Sequence, residues 1–258
     1  MLLAPVGRYS GPASRLPRPR SLCKPNSPRT GGQVQRAGCV ACAKLQLAAG
    51  RNPASVRLLA VSKTFSAEAV VDAMSDGQRA FGENYIAEGV EKIIALRAHT
   101  ALEWHCIGPV QSNKTRLVAE HFDWVQSVDR LKIAQRLSEQ RPAGLPPLQI
   151  CIQVNIDGGA SKSGVAPEDA QALAQEVSAL PGLQLRGLMV IPEPAPDFIA
   201  ACAIHTRARD LFDHINAAGT LPVAMDTLSL GMTADLEAAI HAGSTMVRVG
   251  TAIFGGRH

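Results

Sequence analysis

Between Leu58 and Phe254 this chain alternates eight apolar runs with seven segments of helical period. The runs occupy 58–61, 79–84, 102–108, 124–128, 148–156, 185–191, 227–230 and 246–254. The amphipathic segments between them cover 66–74, 86–98, 112–121, 131–140, 167–180, 197–217 and 234–242. Runs apolar at nearly every position suit strands covered on both faces, as in parallel sheets. Eight such runs without an antiparallel interruption close as an α/β (β/α)8 TIM barrel. An open doubly wound sheet would show about five to seven strands and a glycine-rich first turn. The length of 258 residues matches the ~250 of one barrel domain. In that architecture ligand-binding groups lie at the C-terminal strand ends, with phosphate held after strands 7 and 8.

Composition adds a boundary and several exclusions. Residues 1–62 carry ten Lys or Arg and no acid, whereas 63–258 carry sixteen basic and twenty-two acidic residues. The +4 net charge and the pI near 8.8 thus belong to the N-terminal arm. The remainder has no basic stripe for nucleic acid, and no run reaches the ~18 apolar residues of a membrane span. Six prolines and no periodicity over residues 1–44 predict a disordered arm, followed by a barrel over 45–258. An organellar leader and a mis-assigned start are both accounts of the arm. Its prolines oppose the amphipathic helix of a usual transit peptide. A short helix is expected over 43–49, ended by Gly50 and Pro53. The cysteines at 23, 39, 42, 106, 151 and 202 are scattered, a pattern of a reducing, cytoplasmic compartment. Cys39-Val-Ala-Cys42 has CxxC spacing but no second ligand pair, so no metal is expected.

The strand ends concentrate polar residues. They are Lys63; Glu83 and Asn84; His105 and Gly108; Ser127 and Asp129; Asn155; Met189–Pro192; Ser229–Thr233; and Arg248–Thr251. A lysine desolvated at a strand end has a lowered pKa, and its neutral amine can form a Schiff base with an aldehyde. The competing reading is a lysine that snorkels to solvent. Gly231 and Gly250 allow close backbone approach to a ligand, and exposed N–H groups there could cradle a phosphate. Ser229 and Thr251 add hydroxyls. His105 is open to two readings, a ligand donor or a satisfied structural histidine.

Seven segments then carry a resemblance: LLAVSKT (58–64), FGENY (81–85), WHCIGPVQSNK (104–114), QVNI with KSG (153–156, 162–164), RGLMVIP (186–192), LSLGM (228–232) and MVRVGTAIFG (246–255). Over about residues 48–255 the chain resembles the YggS/PROSC family of pyridoxal 5′-phosphate (PLP) homeostasis proteins, relatives of the alanine racemase N-terminal barrel (PLP fold type III). The resemblance implies a PLP cofactor, with Lys63 as its Schiff-base lysine. It also implies Ser229, Gly231, Met232, Gly250 and Thr251 around the phosphate, Arg248 facing the pyridine nitrogen and Asn84 lining the ring. Residues 1–42 depart from the family, as does Phe65-Ser66, which replaces the Lys/Gln-Pro often found after KT.

An arginine cannot accept the ring proton that makes PLP a strong electron sink. This favours a non-catalytic carrier in intracellular vitamin B6 homeostasis that holds PLP and supplies it to apo PLP-dependent enzymes, acting as a monomer or weak homodimer. The alternatives are a fold-type III amino acid racemase and an interaction protein with a vestigial pocket. Racemases of this architecture take a second base, a tyrosine, from a further domain. The chain's two tyrosines are Tyr9 and Tyr85, and Tyr85 is expected to pack or line the pocket. Gln111, Asn113 and Lys114 are candidates for contact with a partner or second ligand. Lys162 is a candidate for PLP transfer or anion binding.

Overall fold

In the computed structural model, which describes residues 42–159 and 162–255, the eight apolar runs form eight parallel strands. They are β1 (Arg57–Val61), β2 (Ala80–Glu83), β3 (Glu103–Cys106), β4 (Trp124–Val128), β5 (Leu148–Val154), β6 (Leu183–Val190), β7 (Thr227–Ser229) and β8 (Met246–Val249). Each pairs with its chain neighbour and β8 closes on β1, with Leu59 opposite Arg248. The expectations for Tyr9, for Cys39 and for the arm through residue 41 lie outside the described residues.

Local chemistry sets the helices that cover this barrel. A helix over 42–48, α1, precedes β1. α2 (Ala67–Ser75) starts where Ser66 Oγ accepts the Ala69 N–H at 3.4 Å, the orphan-donor satisfaction of an N-cap. α3 (Ile86–Ala95), α4 (Thr115–His121), α5 (Leu131–Gln140) and α6 (Ala170–Ser178) follow. α7 (Phe198–Ala217) is capped by Asp197, whose Oδ1 accepts from the Ala200 N–H at 2.8 Å. α8 (Leu236–His241) and α9 (Thr251–Phe254) complete the ring. The main core lies between sheet and helices, where Leu148, Ile150 and Ile152 of β5 meet Ile133 and Leu137 of α5, all fully buried. Full burial of each such side chain contributes about 1.5–3 kcal/mol. Two smaller apolar clusters gather strand residues with Ile107 and Ile191, the residues that follow β3 and β6. One joins Leu59, Val61, Ala80, Ile107 and Met246, the other Trp124, Cys151, Met189 and Ile191.

Two boundaries differ from the sequence expectation. The last run is not one strand: β8 stops at Val249, and Gly250 accepts the N–H groups of Ile253 and Phe254 at 2.8 and 2.9 Å, which opens α9. An apolar run such as Ala252-Ile253-Phe254 has no period that separates strand from helix. At the other end α1 includes Cys42, ahead of the expected boundary after residue 44. Cys42 and Gln46 are buried, and Gln46 Oε1 accepts from the Val56 N–H at 3.2 Å. Arg51 secures the same end by donating to the carbonyls of Ile240 and Ser244 at 2.9 and 2.6 Å. Among the described residues no helix is long and apolar enough to cross a membrane.

Candidate functional site at the barrel mouth

β1 ends in a tight turn that carries the candidate lysine. The Ser62 N–H makes a last bond to the Gly82 carbonyl at 3.0 Å, and the Phe65 N–H closes back on the Ser62 carbonyl at 3.1 Å. Lys63, half-buried, and Thr64 hold the two central positions. Thr64 has φ +67°, a left-handed backbone that a β-branched residue adopts only under constraint, at a cost of about 1–3 kcal/mol. The constraint comes from α3. Glu88 Oε1 accepts the Thr64 N–H at 2.6 Å, and Lys92 Nζ donates to the Ser62 carbonyl at 2.8 Å. Hydrogen bonds to charged groups contribute about 1.5–3 kcal/mol each, so the pair outweighs the strain.

Lys92 is itself buried and bridges two carboxylates, Glu83 at 2.8 Å and Glu88 at 2.6 Å. Ser62 Oγ donates to the same Glu83 oxygen at 2.6 Å. Burial raises the Glu83 pKa, and the hydrogen bonds from Lys92 and Ser62 only partly offset this. Its Oε2 is buried with no hydrogen-bond partner among the described residues.

On β8, the strand paired with β1, Arg248 is buried inside the barrel. Its Nη1 donates to the Ser229 carbonyl and hydroxyl at 2.8 and 2.7 Å, and its Nη2 donates to the Val190 carbonyl at 2.7 Å. Burial pulls its pKa down to about 10, so it remains cationic at neutral pH. No carboxylate pairs with it among the described residues. A polar chain crosses the barrel behind it. Ser229 Oγ donates to Gln126 Oε1 at 2.7 Å, and Gln126 Nε2 lies 2.9 Å from His105 Nδ1. His105 Nε2 meets Glu103 Oε1 at 2.5 Å, and Glu103 pairs with Arg57 at 2.9 Å. One assignment satisfies every link: a neutral His105 with its proton on Nε2, every donor facing toward Glu103. Burial lowers the His105 pKa more than Glu103 raises it. Burial opposes ionisation of Glu103 too, but His105 and Arg57 hold its carboxyl below the usual range.

The remaining expected residues divide. Asn84 lines a cavity of about 170 Å³ at the mouth with Gly108, Gln153, Lys162 and Ile191, and its Oδ1 is buried without a partner among the described residues. Gly231 has φ +86°, and a Cβ there would fall 2.4 Å from the Ala239 Cβ. A Cβ on Gly250 would lie 3.1 Å from the Val61 carbonyl oxygen. Thr251 is exposed at the first position of α9. Two expected phosphate residues are otherwise engaged: the Ser229 hydroxyl by Gln126 and Arg248, the Met232 N–H by Asp235 at 2.7 Å. His105 is structural, since both ring nitrogens are satisfied inside the barrel. Tyr85 neither packs nor lines this cavity; it is 58% exposed. Lys162 pairs loosely with Glu193 at 3.6 Å. A larger cavity of about 420 Å³ lies apart, between the β6–α7 connection, α7 and the start of α8. Of the expected residues it takes in Met232, whereas the smaller one takes in Asn84; Lys63 and Arg248 line neither.

Sequence reading missed Glu88, Lys92, Gln126 and Asp235. Glu88 and Lys92 look like an ordinary solvent-facing i,i+4 helix pair. A glutamine within an apolar run, such as Gln126 in Trp-Val-Gln-Ser-Val, is the one available signal of a polar layer inside the barrel.

Comparison with known proteins agrees with this geometry. The model of the alanine racemase N-terminal domain family matches residues 43–258. A pyridoxal phosphate homeostasis protein of Pseudomonas aeruginosa is 60% identical over 210 residues, covering 81% of this chain and 88% of the relative. The structure of PipY from Synechococcus elongatus with PLP bound superposes with a TM-score of 0.72 at 35% identity, covering 83% of this chain and all of PipY. An alanine racemase of Clostridium difficile shares the fold, with a TM-score of 0.69 at 14% identity over 87% of this chain and 57% of that one. By the family model and by its curated relatives, this chain belongs to the alanine racemase N-terminal domain family and, within it, to the pyridoxal phosphate homeostasis proteins.

Proposed function

We propose that this chain binds PLP at the barrel mouth through Lys63, and that it holds and hands over the cofactor in vitamin B6 homeostasis without catalysing a reaction of its own. The observation that carries the reading is a lysine turn at the end of β1 beside a buried guanidinium on the neighbouring β8. The residues fit the group. Among the described residues Arg248 is a buried cation that donates to carbonyls and a hydroxyl, so it suits an electron-pair donor such as a pyridine nitrogen. Asn84 presents at the mouth an amide oxygen with no partner among the described residues, and Gly250 leaves room that a side chain would fill.

When bound, PLP supplies an aldehyde that condenses with a primary amine, with loss of water, and a ring that withdraws electrons most strongly once its nitrogen is protonated. Lys63 would provide the amine. Among the described residues no carboxylate is hydrogen-bonded to Arg248 to share a proton with a ligand, and a guanidinium donates without accepting. It would therefore hold the ring nitrogen unprotonated. Gly231, Gly250 and Thr251 would receive the phosphate. Ser229 would act beneath them as the support of Arg248, and Met232 through the loop that Asp235 fastens. PipY, solved with PLP bound, and the Pseudomonas relative's name support the binding role.

The racemase alternative is tested directly. Two-base racemisation needs an acid or base on each face of the substrate, and the described part of the chain holds one tyrosine, the exposed Tyr85. Purified PLP-loaded protein should give no appreciable racemisation of alanine or other common amino acids in a chiral assay. Multiple turnovers that vanish in Lys63→Ala would make it a racemase.

A further inference from the structure

Resting on the proposal that Lys63 anchors PLP, we infer that Glu88 and Lys92 are positioning residues: a clamp from α3 that fixes the strained Ser62–Phe65 turn and so sets how firmly the cofactor is held. The two residues grip the turn on both sides of Lys63. Lys92 Nζ binds the carbonyl of residue 62 at 2.8 Å, and Glu88 Oε1 binds the amide of residue 64 at 2.6 Å. They also bind each other at 2.6 Å, so the grip is one unit. Lys92 donates its third proton to Glu83, which ties the unit to the end of β2. Its ammonium donors are thus all occupied by this network.

A β-branched residue at φ +67° would relax toward ordinary backbone if released. Relaxation would swing the adjacent Lys63. A turn held in one geometry presents its lysine without further ordering on binding, and such preorganisation strengthens affinity chiefly by cutting that cost. For a carrier, the same clamp governs release: the looser the turn, the shorter the residence of the cofactor. Phe65 adds a second hold by stacking on Phe254 of α9, with ring centroids 4.9 Å apart.

The test has one arm without ligand and one with PLP. In Glu88→Ala, exchange of the Thr64 amide with deuterated solvent should rise about tenfold or more while the melting temperature stays within a few degrees. PLP should bind about tenfold more weakly and dissociate faster, with the adduct still on Lys63. Thr64→Gly, which tolerates the positive φ, should recover at least about threefold of the lost affinity in that background. Glu88→Gln covers a failure of the alanine variant to fold; it should weaken binding about threefold, because Lys92 then loses one carboxylate. Unchanged exchange, binding within twofold of the unaltered chain, or a loss that Thr64→Gly leaves uncorrected would each overturn the clamp. Faster exchange in the variant, with no reducible adduct on Lys63 in the unaltered chain, would instead overturn the PLP reading.

Discussion

At the scale of single residues, the barrel spends little of its interior on catalysis-like groups and much on holding Arg248. The guanidinium is buried; the carbonyls of Ser229 and Val190 receive it, Asp235 favours its charge from a distance, and a relay of neutral side chains runs from it to Glu103. Such networks are stable when every member is satisfied and costly when one link is lost. Gln126→Leu would leave His105 Nδ1 and Ser229 Oγ without their shared partner. Stability should fall by about 1–3 kcal/mol for each orphaned group, read by urea denaturation, and PLP affinity should fall with it. Unchanged stability would show that the relay is not a structural unit. Lys63 was legible in the sequence because it follows the apolar run of β1, and Arg248 and His105 because each interrupts an apolar run one residue before its strand ends. Gln126 lies in the middle of β4, and only the fold shows that it meets His105. Lys92 was not legible at all, since its burial depends on the β1 turn reaching α3.

At the scale of elements, alternation told strand from helix nearly everywhere, and errors gathered where an element is short. The run from Met246 to Phe254 hides a strand, a glycine and one turn of helix, a distinction periodicity cannot draw over so few residues. Phe65 likewise looked like a departure from the family, and its stacking on Phe254 gives it a physical role. The α1 helix shows the opposite limit, a segment with a weak pattern that is held by specific polar contacts. Gln46 Oε1 accepts from the Val56 N–H and from Ser55 Oγ, the latter at 3.4 Å. Gln46→Ala should therefore destabilise the protein by about 1–3 kcal/mol, measured by thermal or urea denaturation, while leaving PLP affinity within about twofold because α1 sits at the opposite end of the barrel from the mouth. An equal loss of affinity would place α1 in communication with the site.

For the whole molecule, the closed parallel barrel explains why one end is structural and the other is chemical. Arg57, Glu103 and α1 secure the N-terminal strand ends, whereas Lys63, Asn84, Arg248 and the two glycine turns gather at the C-terminal ends. The fold was legible from eight repeats alone. The binding chemistry needed the juxtaposition of β1 with β8, which no local pattern contains. The central claim is that Lys63 is the covalent anchor. The most direct measurement is borohydride reduction of the PLP-loaded protein, followed by mass-spectrometric mapping of the modified peptide. The account predicts one pyridoxyl group on Lys63, absent in a Lys63→Ala protein that keeps its melting transition. A dominant adduct on Lys114 or Lys162, or an adduct undiminished in Lys63→Ala, would contradict it.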